Sequence, residues 1–154
     1  MSNKHSAFEG IKVLDLSTRL SGAWAARLFG DFGAEVLLPE TANGHFTRYC
    51  APFFDVEGVN KSLLHEYVNW NKTSTCAEEE HVAALISAAD IVVTTQPSEL
   101  IEHLDIQSIH LSITPHGLSG PWSAIDGNDL THSANSGWAM INKFEGEEPL
   151  QLPH

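Results

Sequence analysis

The chain of 154 residues is short of cations, of cysteine and of long apolar runs. Eight Lys and Arg face twenty Asp and Glu, a net charge of −12 with His neutral. Nucleic acid needs a basic footprint, so this balance argues against nucleic acid as a partner. The same field repels a polyanion at a distance unless a local basic pocket overrides it. Cys50 and Cys76 are the only cysteines, too few for a disulfide framework, and two reduced thiols are expected. No apolar run approaches the ~20 residues a membrane helix needs, so no membrane partner is expected. The opening MSNKHSAFEG is polar and lacks the apolar centre of a secretory leader, which makes the cytoplasm the expected compartment. Nine His are scattered, with no pair at metal-ligand spacing, so no metal is expected. The segment STRLSGAW (17–24) carries neither G-x-G-x-x-G nor a phosphate-binding Lys, which removes the mechanism of a nucleotide-binding module.

What is present is a regular alternation. IKVLDLS (11–17) is a short apolar run, read as a buried strand. SGAWAARLFGDFG follows with Ala25, Leu28, Phe29 and Phe32 at helical spacing and Gly33 where a helix stops. AEVLLPE returns to strand, with Pro39 expected to end it. Together these make a β-α-β unit with parallel strands. Between Thr41 and Lys72 the pattern dissolves, yet aromatics run through it, so an ordered excursion is expected. Regularity resumes with a helix opened by Thr75 and Glu78 as a capping box, with Val82, Leu85, Ile86 and Ala89 on its apolar face. DIVVTT (90–95) is a third strand, PSELIEHL (97–104) a third helix, and SIHLSIT (108–114) a fourth strand. DLTHSANSGWAMINKF (129–144) reads as a helix weakened by Gly137. The expectation is one α/β domain over residues 1–154, a Rossmann-like three-layer fold with a mostly parallel sheet.

Ligands of such sheets bind beyond the carboxyl ends of the strands. The loops after Leu16, Leu38, Val93 and Ile113 therefore form the expected rim. Arg19 is its cationic candidate, against a surface ion pair. GLSGPWSAIDGNDL (117–130) is the most elaborate of these loops. Gly117 and Gly120 either shape a ligand-facing loop or only supply turn conformations. Asp129 is a ligand-site acid or, more simply, the cap of the next helix. Trp24 and Trp122 read as packing residues. Asp15 lies in an apolar strand and needs a partner there.

These residues resemble the class III CoA-transferases, the CaiB/BaiF family. GIKVLDLSTRLSGAWAARLFGDFGAEVLLPE is similar to the family opening G-x-x-V-L-D-L-S-x-x-x-A-G-P…L-A-D-L-G-A-x-V-I-K-V-E. NWNKTS (69–74) resembles N-x-x-K-R-S, and AADIVVTTQP resembles A-D-V-V-V-E-N-F-R-P. HLSITPHGLSGPWSAIDGNDLTHSANSG resembles V-S-I-T-G-F-G-x-x-G-P-[YW]…G-[YH]-D…A-x-S-G. The matches run in order along nearly the whole chain. The resemblance implies a Rossmann-like domain, an interlocked homodimer, and chemistry on CoA and acyl-CoA thioesters. It implies CoA as a ligand rather than a tightly bound cofactor. It points to Arg19, Leu20, Ser21, Lys72, Gly117, Asn128 and Asp129 as the CoA-facing positions.

Four departures bear on chemistry. The family's nucleophilic Asp follows P-L-x-L-P, whereas this chain ends at PLQLPH. The expectation is a chain that is incomplete or catalytically silent alone, with Asp129 as a weak catalytic candidate. The Lys of V-I-K-V-E is replaced by Leu38, and the strand after N-x-x-K-R-S is shorter by about six residues, a change loops tolerate. The position before the Asp of G-[YH]-D is Asn128, an amide with no proton to exchange near neutral pH. The alternative is a non-catalytic binding or assembly module that keeps the fold. Lys72 is open between a phosphate contact and a solvated side chain.

Overall fold

The computed structural model describes residues 6–77, 79–96 and 107–148. Two compact units divide the chain, Met1–Ile113 and Thr114–His154.

The first unit is built on strands β1 (Lys12–Asp15), β2 (Glu35–Glu40), β5 (Lys72–Cys76), β6 (Ile91–Thr94) and β7 (Ile109–Ser112). They form one sheet in the order β5-β2-β1-β6-β7, every pairing parallel. Counted along the sheet, the chain winds outward one way from β1 and then the other, the doubly wound pattern. Helix α1 (Leu20–Asp31) covers one face, and α3 (Glu79–Ala88) the other. Strand side chains alternate between these faces. Val13, Val36, Ile91 and Val93 pack with Ala26 of α1, while Leu14 and Val92 pack with Ile86 of α3. The class is α/β, with a parallel sheet between helical layers.

Local chemistry explains these elements. α1 ends as the glycine predicts: Gly33 has φ +98°, its N–H donates to Gly30, and the next N–H donates to Phe29. The buried face of α1 is not the expected stripe. Gly22, Ala23 and Ala26 are buried, while Leu28 and Phe32 are exposed. The reason is proximity: a Cβ on Gly22 would sit 2.3 Å from Ser17 Cβ and 2.5 Å from Thr95 Cγ2. Only small residues let the helix lie that close to the strand ends.

Pro39 does not stop β2, which runs on to Glu40. Glu35 N–H points at Ile11 and the Glu40 carbonyl at Ala77, so Pro39 presents its missing N–H towards β1. Pairing with β1 has already ended at Leu37, and pairing with β5 continues to Cys76. The proline therefore breaks no bond to β5, and it falls where the ladder to β1 stops. Thr75 lies inside β5 opposite Pro39, so it opens no helix; Glu78, the other half of the expected capping box, lies outside the described residues.

The excursion between β2 and β5 is ordered. It holds a 3₁₀ turn (Phe46–Tyr49), the hairpin β3 (Phe53–Val56) and β4 (Val59–Ser62), and helix α2 (Leu63–Asn69). The hairpin turns through Glu57 at φ 55° and Gly58 at φ 83°, the two-residue geometry that right-twisted strands favour. Ser62 caps α2 by accepting from His65 N–H. The expected helix at 97–104 lies outside the described residues.

In the second unit, α4 (Asp129–Asn135) and α5 (Trp138–Ile141) replace the single expected helix. Gly137, at φ +77°, separates them. Among the described residues of this unit, Gly127, Ser133 and Ala139 are buried. Leu118, Trp122, Ile125, Leu130, Trp138, Met140, Ile141 and Phe144 are exposed. No described helix is long and apolar enough to cross a membrane.

Candidate functional site

The carboxyl end of β1 carries a buried ion pair. Asp15 Oδ2 lies 2.7 Å from Lys72 Nζ, and both side chains are essentially inaccessible. Lys72 also donates to the Ala23 carbonyl at 2.7 Å, so the pair ties β1, β5 and α1 together. Burial pushes the Lys72 ammonium down from its ordinary value, against the opposing pull of the Asp15 charge and bond. Asp15 Oδ1 accepts the Ser17 N–H at 3.0 Å. Asp15 thus has the structural partner its apolar strand demands. Lys72 is buried rather than solvated, because from the first position of β5 it reaches under α1 to Asp15 and the Ala23 carbonyl.

Next to it, Glu40 ends β2. Arg48 grips its carboxylate in two parallel bonds of 2.6 Å each, and the His45 N–H and Ser74 hydroxyl donate to it as well. The Arg48 bonds hold Glu40 down at about 2, the Ser74 and His45 bonds add to this, and burial opposes it.

A third layer is neutral. His45 Nε2 lies 3.0 Å from the Ser17 carbonyl and Nδ1 2.7 Å from Thr47 Oγ1. Thr47 Oγ1 also lies 2.7 Å from His65 Nδ1 and accepts from Asn69 Nδ2 at 3.1 Å. Burial pushes both His45 and His65 below their ordinary values.

Asp15, Glu40 and His45 of these groups line a cleft of about 240 Å³ at the sheet end, walled further by Ser17, Thr18, Pro39, Thr41 and Phe46. It opens between β1 and β2. The crevice between β1 and β6 is closed instead: the Thr18 N–H donates to Thr95 Oγ1 at 2.8 Å, and Gly22 packs against both strands. A second cleft of about 300 Å³ lies on the sheet face against α3, lined by Val13, Leu14, Leu37, Leu85 and Ala89. It reaches towards the amino ends of the strands, marked by Lys12 and Glu35, away from the rim.

Arg19 precedes α1 in extended conformation, and Leu20 and Ser21 form the first turn, all three exposed on the rim. The amino end of α1 carries partial positive charge there. Gly117, Asn128 and Asp129 belong to the second unit. Gly117 has φ +85°, a left-handed turn conformation. The helix cap is Asn128 and not Asp129. Asn128 Oδ1 accepts the Thr131 N–H at 3.0 Å, and Thr131 Oγ1 accepts the Asn128 N–H at 2.9 Å. Asp129 is then the first helical residue, where its charge suits the helix dipole. The two tryptophans are not core: Trp24 is 41% and Trp122 54% exposed. Trp24 lies tilted against Tyr67, and the Arg27 guanidinium lies 4.0 Å from the Tyr67 ring centroid. Among the described residues no three metal-ligating side chains gather.

Sequence reasoning missed Glu40–Arg48 and the His45–Thr47–His65–Asn69 group. A faint signal existed. His65 and Asn69 stand one helical turn apart beside the buried Val68, a polar pair on an inward face.

Comparison with known proteins agrees with this architecture. The model of CoA-transferase family III matches residues 8–153. A succinyl-CoA:(R)-benzylsuccinate CoA-transferase subunit from Thauera aromatica is 30% identical over 95% of this chain and 40% of its own length. The human succinyl-CoA:glutarate CoA-transferase is 31% identical over 97% of this chain and 37% of its own. The crystal structure of a CaiB/BaiF family protein from Brucella suis superimposes with TM-score 0.85 at 27% identity, covering 98% of this chain and 44% of that one. The chain thus spans about two fifths of the length of these relatives. The doubly wound sheet, the strand-end cleft and the family match together place this chain in CoA-transferase family III.

Proposed function

We propose that this chain is the CoA-thioester-binding part of a class III CoA-transferase, with the β1–β2 strand-end cleft receiving CoA. The observation that carries the reading is that cleft, at the carboxyl edge of the sheet and next to the closed β1–β6 switch point, in a chain matching the family over residues 8–153. Two features support it. The two acids nearest the cleft, Asp15 and Glu40, are both paired with cations, so neither confronts an incoming phosphate unneutralised. Arg19, Leu20 and Ser21 rim the amino end of α1, where anions are favoured. Gly117, Asn128 and Asp129, the other CoA-facing candidates, lie in the second unit. Lys72 acts indirectly, because its ammonium is committed to Asp15 and Ala23. Acyl-CoA thioesters are the substrate class, as the names of the relatives indicate. The compartment is the cytoplasm, and the exposed apolar side chains between Leu118 and Phe144 suit a homodimer.

CoA and succinyl-CoA at millimolar concentration are expected to raise the melting temperature. Saturation to 100 times the dissociation constant stabilises by about 2.7 kcal/mol. For a chain of this size that is on the order of 5–10 °C. No shift with either compound overturns the reading.

A second reading, a non-catalytic binding or assembly module, has Asn128 in its favour. Its side chain is engaged as a helix cap, and an amide carries no exchangeable acid proton. Asp129 beside it is the remaining acid candidate. Incubation with succinyl-CoA and labelled carboxylate acceptors decides: acyl exchange abolished by Asp129→Ala supports transfer, and no exchange supports the module.

A further inference from the structure

We infer that His45 is a positioning residue of the strand-end cleft: it holds the Ser17 carbonyl through a hydrogen-bond chain whose direction is fixed by Thr47 and His65. This deepens the CoA-binding reading and rests on it for the identity of the ligand.

The direction follows from donors and acceptors alone. The Ser17 carbonyl only accepts, so His45 Nε2 at 3.0 Å carries the proton. Neutral His45 then has a lone pair on Nδ1, so the Thr47 hydroxyl donates to it across 2.7 Å. Thr47 has one hydrogen, now used. The 2.7 Å approach of His65 Nδ1 to Thr47 Oγ1 requires the proton on His65 Nδ1. Asn69 Nδ2 supplies the second donor to Thr47 Oγ1, which fills its lone pairs. Asn69 Nδ2 and His65 Nδ1, 3.1 Å apart, are both donors and do not bond to each other. The two histidines are therefore in opposite tautomers, each set by the bond its ring makes.

The chain ends on the cleft. Ser17 and His45 both line it. The Ser17–Thr18 turn is held at three points: the Ser17 N–H on Asp15, the Ser17 carbonyl on His45, and the Thr18 N–H on Thr95. The next residue is Arg19, then α1. His45 is thus the anchor that fixes where the rim begins. The charged groups facing His45 are Asp15 on β1, Glu40 on β2 and Lys72 on β5, and those facing its relay partner His65 are Arg48 in the 3₁₀ turn, Glu40 and Glu66 on α2. A proton added to His45 Nδ1 puts three donors on Thr47 Oγ1, which has two lone pairs. Acid therefore breaks the chain, and burial moves that event below the ordinary His range.

The test uses the ¹⁵N-labelled protein. Ring nitrogen shifts at neutral pH are expected to show His45 as the Nε2–H tautomer and His65 as the Nδ1–H tautomer. Both rings in the same tautomer, or His45 cationic, overturns the inference. The Thr18 amide, on the peptide that His45 holds, is expected to titrate with the His45 ring, and an amide indifferent to it also overturns the inference. Thr47→Val is expected to scramble the His45 tautomer and weaken CoA binding roughly tenfold, the size of one lost hydrogen bond. Thr47→Ser and His45→Gln, which keep the hydroxyl and the donor respectively, are expected to restore binding. Should Thr47→Val fail to fold, the wild-type ring shifts and Thr47→Ser decide. If the wild type gains no stability from CoA, the functional reading fails while the ring and amide measurements still judge the inference. If CoA binds equally to wild type and folded Thr47→Val, the inference fails and the functional reading stands.

Discussion

The strand-end region and the segment after β7 are opposites. Around Asp15, Glu40 and His45 the side chains are polar, buried and multiply bonded. Between Leu118 and Phe144 they are apolar, large and exposed. The first arrangement is costly unless every partner is present, and satisfied groups of this kind rigidify one geometry. The second leaves large apolar side chains in water, the composition that interaction surfaces share. The strand-end region is thus specified by bonds, and the later segment leaves its apolar area uncovered.

Mutations can break or sharpen this contrast. The largest effect belongs to Lys72→Ala, which strands the buried Asp15 carboxylate. A loss of about 3–5 kcal/mol is expected in urea unfolding, and Lys72→Ala with Asp15→Asn together is expected to cost less than the two losses summed. Gly22→Ala comes next, because its new Cβ meets Ser17 and Thr95 side-chain carbons lying against the strand ends. About 1–3 kcal/mol is expected by the same measurement.

Glu40→Gln is smaller and depends on pH. The folded carboxyl titrates near 2 against an ordinary 4.5, so the stabilisation is complete above 4.5 and drains away as pH falls towards 2. Arg48 is 42% exposed, which discounts the full shift to about 1–2 kcal/mol at neutral pH. Unfolding curves of wild type and variant are expected to converge between pH 4.5 and 2. A constant gap across that range argues that Glu40 acts by packing. In the second unit Asn128→Ala is expected to cost about 1 kcal/mol through loss of the cap, with Asn128→Asp retaining most of it. The smallest stability effect is expected for Ile141→Ser, within about 0.5 kcal/mol for so exposed a position. Its signature is reduced self-association in sedimentation. An unchanged mass distribution with a large stability loss reverses the contrast between the two regions.

The sequence made the sheet centre legible, because β1 and β6 are continuous apolar runs and Gly33 is a plain stop signal. It hid β5, whose KTSTC pattern is that of a half-exposed edge strand, and the hairpin, whose strands bury almost nothing. Asp15 was legible as a group in need of a partner. Its partner was not, since Lys72 stands 57 positions away and only the sheet order brings them together. His45 and His65 looked like scattered histidines for the same reason. The cap at Asn128 was misplaced by one residue, because Asn and Asp compete for that role and only backbone geometry chooses.

The proline in β2 has an effect beyond its own strand. From Leu37 onward the sheet forks: β2 stays zipped to β5, and β1 leans to β6, with Leu16 N–H bonded to Val93. At the fork, a residue with an N–H could offer β1 one more rung. Pro39 offers none, and it lines the very gap that results. The cleft is written into the chain as a single missing hydrogen, and Pro39→Val is the substitution that would invite the fork to close.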